Sequence, residues 1–367
     1  MKRRRVGALR RLAGLVSGMA TGLVVTGASA ADWTLAVQTD RHLDALALDH
    51  LGDDAAWSRL RPRPGRNLGY FFDEVRLTRQ TEGGHWSLLV RQRAVAVVSE
   101  GALDLARSVD AGGDPAGDRR WSVALDYLGF SGVGVEFGRR LDLGGGWQGD
   151  AACQGLQLQR LSARQAHGEA AYQAATASYS AALTSREADS HLTFPYQTAV
   201  AGHGLGLLCR AGVQWQGGPW TVAVEGRDAG VLMWDGLPQQ DAVLSTDQQR
   251  VGADGFVTYQ PLVQGRNTQS PGRRTLAPIS TWSVGWSDAA LGRLRADVVW
   301  LPGWGALPGA GWARGFGDWQ LGLGWRVHER RAEASVARGG WRLALSSDGR
   351  GQTRSTGLRL DWRVASP

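Results

Sequence analysis

Charged residues occupy alternate positions in several short segments of this chain. The segment TRSTGLRLDWRV, residues 353–364, is an example, because leucine, tryptophan and valine fall on one side and Arg359, Asp361 and Arg363 on the other. A β-strand turns successive side chains to opposite faces, so such a segment has one apolar face and one charged face. Guanidinium and carboxylate groups gathered on one face either line a water-filled passage or pair with one another.

The charged positions of these segments are rich in arginine. We predict that the charged face lines a lumen, and that its residues are Arg76, Arg91, Arg93, Glu225, Arg227, Arg295, Asp297, Arg326, Arg342, Arg359, Asp361 and Arg363. In a wide lumen these groups would stand in water and tune ion selectivity, whereas in a narrow lumen the arginines and carboxylates would pair. The sequence leaves both interpretations open.

Sequence motifs for other chemistry are absent. The chain contains no Gly-x-Ser-x-Gly, no phosphate-binding loop, no His-Glu-x-x-His and no Cys-x-x-Cys. The histidines, at 42, 50, 85, 167, 191, 203 and 328, lack the spacing of metal ligands. We therefore predict no catalytic residue, no metal and no cofactor. A hydrolase is a minor alternative, since His85 stands near Ser87, and His191 follows Ser190 and Asp189.

The chain opens with basic residues and then an apolar stretch that ends at Ala28-Ser29-Ala30. This is the pattern of a secretory signal peptide, which we predict at residues 1–30, followed by a single domain at 31–367. Six of the 41 basic residues and none of the 34 acidic ones lie in the leader, so the domain keeps 35 basic and 34 acidic residues. A nearly neutral domain predicts no nucleic-acid partner.

The domain has two cysteines, Cys153 and Cys209. In an exported protein such a pair can form a disulfide, and we retain this as a possible bridge. Two buried, inert thiols are an equal alternative, because spacing alone does not bring two side chains together.

A tryptophan followed by two alternating apolar residues recurs seven times, first as Trp33-Thr-Leu-Ala-Val37. Period-2 alternation places each tryptophan on the apolar face. In a soluble β-sandwich or propeller that face is the core, whereas in an outer-membrane barrel it meets lipid. Indole is favoured at membrane interfaces, so we predict interface positions for Trp33, Trp86, Trp121, Trp220, Trp282, Trp319, Trp325, Trp341 and Trp362.

The intervals between these tryptophan motifs are unequal, which disfavours a propeller with its regular blades. We predict an all-β fold, a single antiparallel up-and-down transmembrane β-barrel with an even number of 12–16 strands. Glycine, proline and acidic residues predict long loops at 101–118, 183–198, 229–253, 265–277 and 302–314, and the segment 41–66 is expected to contain a short helix.

The alternating final strand resembles the C-terminal signal of bacterial outer-membrane β-barrel proteins, although Ala365-Ser366-Pro367 follow it. The resemblance implies an outer-membrane location and contact with lipid, lipopolysaccharide and the barrel-assembly machinery. It implies a porin-like channel or export conduit for polar solutes or polymers. One alternative is a non-conducting surface scaffold or assembly barrel. Another is a soluble exported β-propeller or β-sandwich, periplasmic or secreted, that binds carbohydrate.

Overall fold

The computed structural model describes residues 33–53, 55–112, 114–194, 202–246, 249–251, 257–259, 262–349 and 351–364. The predicted signal peptide at 1–30 lies outside these ranges. A search of the described residues finds no helix with both the length and the apolar character needed to span a membrane.

Strands dominate the described residues. In chain order they are β1 (Trp33–Leu43), β2 (Arg66–Thr81), β3 (Gly84–Ser99), β4 (Arg119–Gly144), β5 (Trp147–Gln173), β6 (Ser178–Asp189), β7 (Gly204–Gly217), β8 (Trp220–Ser245), β9 (Gln249–Val251), β10 (Val257–Tyr259), β11 (Val263–Leu276), β12 (Ile279–Asp288), β13 (Gly292–Leu301), β14 (Gly305–Phe316), β15 (Trp319–Arg326), β16 (Arg331–Arg338), β17 (Trp341–Ser347) and β18 (Ser355–Val364).

All of these strands except β9 and β10, which pair with each other, close into one antiparallel barrel. Strand β1 pairs with β2 on one side and with β18 on the other, so the sheet has no break between the first and last strands. Strands β6 and β7 share one place in the wall, since both pair with β5, and β11 and β12 share another beside β8. The result is a closed barrel of 14 strand positions, which confirms the predicted fold class.

The alternation predicted from sequence sets which face of each strand points outward. On β15, Trp319, Leu321, Leu323 and Trp325 are all exposed, each by 40% or more. Their neighbours Gln320 and Arg326, and the glycines between, point into the barrel. A continuous exposed apolar face of this kind needs lipid as its solvent, so the soluble propeller or sandwich alternative is wrong.

The two ends of the barrel differ. At the end that holds the first residue of β1 and the last of β18, the strands are joined by tight turns at 82–83, 145–146, 218–219, 289–291, 317–318 and 339–340. We call this the terminus end. Longer connections stand at the opposite, cap end, including 44–65 and 246–262. Short turns mark the periplasmic side of outer-membrane barrels and long ones the outer side.

The barrel wall also varies in height. Strands β4, β5 and β8 have 26, 27 and 26 residues, whereas β15, β16 and β17 have eight, eight and seven. We call β4, β5, β6, β8 and β11 the tall wall, and β13 to β18 the short wall. On the outer face of the tall wall toward the cap end, Arg164 pairs with Glu187 at 2.6 Å. Such a pair belongs in water, so this part of the wall projects beyond the apolar band.

Residues 44–65 and one helix form a cap over the barrel. The cap segment holds two 3₁₀ turns, 48–50 and 57–59. Helix α1 (Glu100–Ala111) begins after Ser99, whose side chain accepts a hydrogen bond from the Ala102 N–H, and ends at left-handed Gly112. The predicted loop at 101–118 is therefore wrong, because this N-cap and C-cap enclose a helix.

Other predicted loops are strand. Strand β8 continues to Ser245 through residues predicted as the loop 229–253, and β11 and β14 take most of the loops predicted at 265–277 and 302–314. Strand β6 takes residues 183–189 of the loop predicted at 183–198. The physical reason in β8 is a bulge opposite Arg210, which shifts the pairing register and so interrupts the alternation. The short helix expected in 41–66 is present only as the two 3₁₀ turns.

The tryptophans lie at two levels. Near the terminus end are Trp33, Trp86, Trp220, Trp319, Trp341 and Trp362, and nearer the cap end of their strands are Trp282 and Trp325. The predicted interface position of Trp121 is wrong, because this side chain is only 6% exposed and packs with Ala170 and Tyr172. Its strand, β4, begins at the cap end, where Leu105 of α1 packs against this cluster.

Cys153 and Cys209 form a disulfide. They are directly opposite in the register of β5 and β7. Their neighbour across the sheet is Phe137, which is 66% exposed, so the bridge belongs to the outer face of the wall. It joins two adjacent strands that the sheet already pairs.

Candidate functional site

The residues predicted to line the lumen share the inward face. Alternation and pairing place all of the following there: Arg76, Arg91, Arg93, Glu225, Arg227, Arg295, Asp297, Arg326, Arg342, Arg359, Asp361 and Arg363. The structure groups most of them into ion-pair clusters at the middle of the barrel. Arg342 and Arg363 lie nearer the terminus end, on β17 and β18.

The bulge in β8 builds the first cluster. Asp228 adopts a left-handed backbone with φ 63°, which is uncommon for a residue other than glycine. The bulge turns Arg227 and Asp228 to the same side. Asp228 is 3% exposed and accepts hydrogen bonds from Arg91 at 2.7 and 3.0 Å and from Arg93 at 3.0 Å. Arg227 stacks over the Phe72 ring, 5.5 Å from its centroid.

A second cluster surrounds Glu136 on β4, whose side chain is fully buried. It pairs with Arg76, with His85 at 3.3 Å and with Arg210 at 3.5 Å. Arg210 also binds Asp150 at 2.7 Å. Arg76 also binds Glu74, two residues before it on β2. Sequence analysis missed Arg210, because it lies beside the register shift where alternation cannot be read.

The short wall carries its own pairs. Arg326 binds Asp297, which Arg295 approaches at 3.5 Å. Closer to the cap end, Arg331 binds Asp40 at 2.5 Å, and the Tyr70 hydroxyl donates to Glu329 at 2.8 Å. These contacts link β1 and β2 to the β15–β16 connection and the first residue of β16.

An apolar cluster crosses the barrel at this height. Leu68 and Tyr70 of β2 pack with Ile279, Leu301 and Leu307, and all five are at most 4% exposed. Strand β2 and strand β12 stand half a circumference apart in the 14-strand ring, so these contacts join opposite walls. A second cluster, which includes Leu161, Leu208 and Leu232, fills the inner side of the tall wall. We call the contacts of Leu68 and Tyr70 with Ile279, Leu301 and Leu307 the cross-lumen barrier.

Below this barrier the lumen is polar and hollow. One cavity of about 420 Å³ touches Tyr70, Leu301 and Leu307 and is lined by charged residues, among them Arg91, Arg227, Arg295, Arg326, Arg331 and Arg359. A second, of about 800 Å³, includes His85, Arg140 and Gln148 near the terminus-end turns. Both are lined by Arg76, Arg210 and Glu225, so they adjoin. Together we call them the vestibule.

A further polar cluster closes the cap. Asp44 is 1% exposed and accepts from His42 Nε2 at 2.9 Å, from the Leu68 N–H at 2.8 Å, and from His328 Nε2 at 3.3 Å. Arg63 stands 2.6 Å from the same carboxylate. Burial alone would raise the pKa of Asp44, but the hydrogen bonds from both histidines and the backbone outweigh it and hold that pKa well below its ordinary value. Sequence reasoning missed this cluster, since only the fold brings residue 328 to residue 44.

No family model matches the chain, and no curated protein matches it. Among solved structures, the P. putida toluene transporter TodX has a TM-score of 0.40 at 10% identity, covering 93% of this chain and 91% of its own. The β domain of the Bordetella autotransporter BrkA gives 0.29 at 9%, covering 92% and 100%. A Pseudomonas aeruginosa FadL homologue gives 0.29 at 11%, covering 91% and 90%.

The chain's own geometry assigns its class. Its wall is closed and antiparallel, its outer face is apolar, and tight turns at one end face long connections at the other. All backbone groups of such a wall are paired between strands, which is the condition for crossing a bilayer with strands. The chain is an outer-membrane β-barrel protein.

Proposed function

We propose that this barrel is a gated conduit for polar solutes. The observation that carries the proposal is the vestibule, a polar hollow that extends from the terminus-end turns to the cross-lumen barrier. A barrel that serves only as a membrane anchor gains nothing from a hollow half lined by charged groups, because a packed apolar interior would stabilise it more. A conduit needs such a lining to replace the hydration of a passing solute.

The proposed solute is anionic. Three of the predicted lumen arginines, Arg227, Arg342 and Arg363, make no ion pair within the described part of the chain, against one predicted lumen carboxylate, Glu225. The Arg227 Nε is also buried without a hydrogen-bond partner there. An unpaired guanidinium beside a water-filled space attracts carboxylate or phosphate groups, which it binds with two parallel hydrogen bonds.

The gate in this proposal is the cross-lumen barrier. Its apolar side chains come from β2 on one wall and from β12, β13 and β14 on the other, with no covalent link between them. Passage therefore requires the two walls, or the side chains, to separate at this height. The pair of Asp297 with Arg326 lies within the short wall beside the barrier. Asp228 of β8 instead binds Arg91 and Arg93 of β3 across the lumen, so a solute must pass beside this ion pair or break it.

Planar-bilayer recording of the folded, purified protein tests this function. The variant Tyr70→Ala with Leu301→Ala removes large side chains from the barrier, and Leu321→Ala, on the outer face, is the matched control. We expect rare or small conductance steps for the wild type and the control, frequent larger steps for the barrier variant, and a reversal potential that favours anions. Silent bilayers from all three proteins, each shown to be folded by heat-modifiable migration, would contradict the proposal.

A non-conducting scaffold or assembly barrel is the second candidate. The cross-lumen barrier favours it, because well-packed apolar contacts between opposite walls stabilise a closed barrel. The same recordings separate the two candidates, since a scaffold gives no conductance even when the barrier is weakened.

We infer that the partners during biogenesis and residence are lipid, lipopolysaccharide and the barrel-assembly machinery. The apolar outer face supports lipid contact, and the alternating β18 supports recognition during assembly. Depletion of the assembly machinery is expected to leave the chain protease-sensitive in the periplasm.

A further inference from the structure

The cap cluster brings together three groups that ligate metals. His42 Nε2, a carboxylate oxygen of Asp44 and His328 Nε2 all lie within 4.8 Å of one another. Two donors bound at about 2.0–2.2 Å to one ion are roughly 3–3.5 Å apart. The distances here are 2.9 Å from His42 Nε2 to Asp44 Oδ1 and 3.3 Å from His328 Nε2 to Asp44 Oδ2, near that range, so each histidine faces one oxygen of the carboxylate.

The chemistry of the donors selects a class of ion. Two imidazoles and one carboxylate suit zinc and neighbouring transition metals, whereas calcium and magnesium prefer oxygen donors alone. His42 and Asp44 are buried and His328 is partly open, so an ion bound to all three would keep one side toward solvent.

The outer nitrogen of the buried histidine is free to support such a ligand. His42 Nδ1 is buried without a hydrogen-bond partner in the described residues, and so is the Ser355 Oγ. These two residues are directly opposite each other in the β1–β18 register. When Nε2 of a histidine binds a metal, its Nδ1 carries the hydrogen and needs an acceptor close by. Ser355 lies opposite His42 in the register, and rotation of its side chain toward the ring would supply this acceptor.

Arg63 occupies the carboxylate that the ion would use. Its guanidinium is 2.6 Å from Asp44 Oδ1, while the side chain keeps 31% of its surface exposed. A guanidinium and a divalent cation repel each other, so they compete for Asp44. Because Arg63 is partly in water, it can turn outward without leaving a buried charge unpaired.

We propose that His42, Asp44 and His328 form a binding site for a divalent transition-metal ion such as Zn²⁺, and that Arg63 competes with the ion for Asp44. The bound ion joins the first residues of the cap segment to the connection between β15 and β16. Metal binding therefore fastens the cap to the short wall.

Metal titration of the full-length folded protein in detergent tests the site. The protein is first stripped with a chelator, and Co²⁺ and Zn²⁺ are then added with binding followed by the Co²⁺ absorption spectrum and by calorimetry. We expect one ion per chain, with a Co²⁺ spectrum typical of nitrogen and oxygen ligands. His328→Ala should abolish this binding, and His167→Ala, an exposed histidine on the tall wall, should leave it unchanged.

Arg63→Ala gives the sharper test. Removing the competing guanidinium should tighten metal binding by about ten- to a hundredfold, the value of a hydrogen-bonded charge on Asp44. If the cluster is only structural, the Arg63→Ala variant should have a less stable cap and should bind no metal. The proposal is overturned if the stripped wild type and the Arg63→Ala variant bind no metal ion, or bind no more metal than the His328→Ala variant does. These measurements do not involve conductance, so they stand apart from the proposed channel function.

Discussion

The cap half and the terminus half of the lumen solve the problem of inward-facing charge in different ways. At the base of the cap half, beside the apolar contacts that cross the barrel, Asp228 is buried and is bound by Arg91 and Arg93. In the terminus half, Arg342 and Arg363 make no ion pair in the described structure, and the lumen is hollow. The difference shows that inward-facing arginines and carboxylates can form part of a packed core near the cross-lumen barrier and a solvated lining near the terminus end.

The largest effect is expected from Asp228→Asn. The change leaves Arg91 and Arg93, with side chains 9% and 7% exposed, without their carboxylate. Breaking a buried pair in this way costs about 3–5 kcal/mol. The free energy of unfolding in urea, measured in detergent, checks this value. Asp361→Asn is the control in the terminus half, and its exposed pair with Arg359 should be worth less than about 1 kcal/mol.

Equal losses for these two variants would erase the distinction between the halves.

Ile279→Ala should have the next largest effect on stability. Ile279 is fully buried in the cross-lumen barrier, and truncating such a residue costs roughly 2–4 kcal/mol by lost burial and a residual cavity. Leu323→Ala, on the lipid-facing side of β15, should cost less because lipid fills the space. Comparison of their urea midpoints sharpens the claim that the cap half is a protein core. A barrier variant as stable as wild type would show that the walls are not in contact.

Arg227→Gln should separate function from stability. Arg227 has no ion pair in the described residues and stacks only on Phe72, so its removal should change the free energy of unfolding by about 1 kcal/mol or less. In a barrier-weakened background it should shift the reversal potential toward lower anion preference. Arg91→Gln, which removes a paired arginine, should instead be strongly destabilising. An unchanged reversal potential would remove Arg227 from the conducting path.

A modest effect on stability is expected at the terminus-end tryptophans. Trp341 stacks edge to face with Trp319 at 5.9 Å between ring centroids. Trp341→Ala loses an aromatic contact worth about 0.5–1.5 kcal/mol beyond the area it buries. Heat-modifiability midpoints measure the loss. Trp121→Ala, at the cap end, should cost more because that ring is enclosed by protein.

Sequence alternation predicted much of this molecule because a strand's period of two survives wherever the wall is regular. It predicted the inward positions of Arg326 on β15 and of Arg359 on β18, and the even strand number. It failed in β8 because the bulge at Asp228 shifts the pattern by one residue, so a continuous strand was predicted as a loop. It failed for Trp121 because a short motif does not reveal which end of the barrel it occupies.

The polar sites were less predictable than the wall. The pairing of Arg91 with Asp228 and the meeting of His42 with His328 depend on contacts between residues far apart in the chain. Residue types alone identified Arg91 as inward but not its partner. The vestibule's size depends on how far opposite walls collapse, which follows from packing of side chains such as Tyr70 and Leu301 rather than from any local pattern.

Because the tall wall and the short wall differ in height, the two sides of the barrel are not equivalent in the plane of the membrane. Along an extended strand at about 3.3 Å per residue, β8 is roughly 60 Å longer than β17. A large particle moving along the bilayer surface meets the projecting tall wall on one side of the barrel and the short wall on the other. Only from the side of the short wall does it reach the cap segment 44–65 without first meeting the tall wall. Approach to the cap is therefore easier from one side of the barrel than from the other.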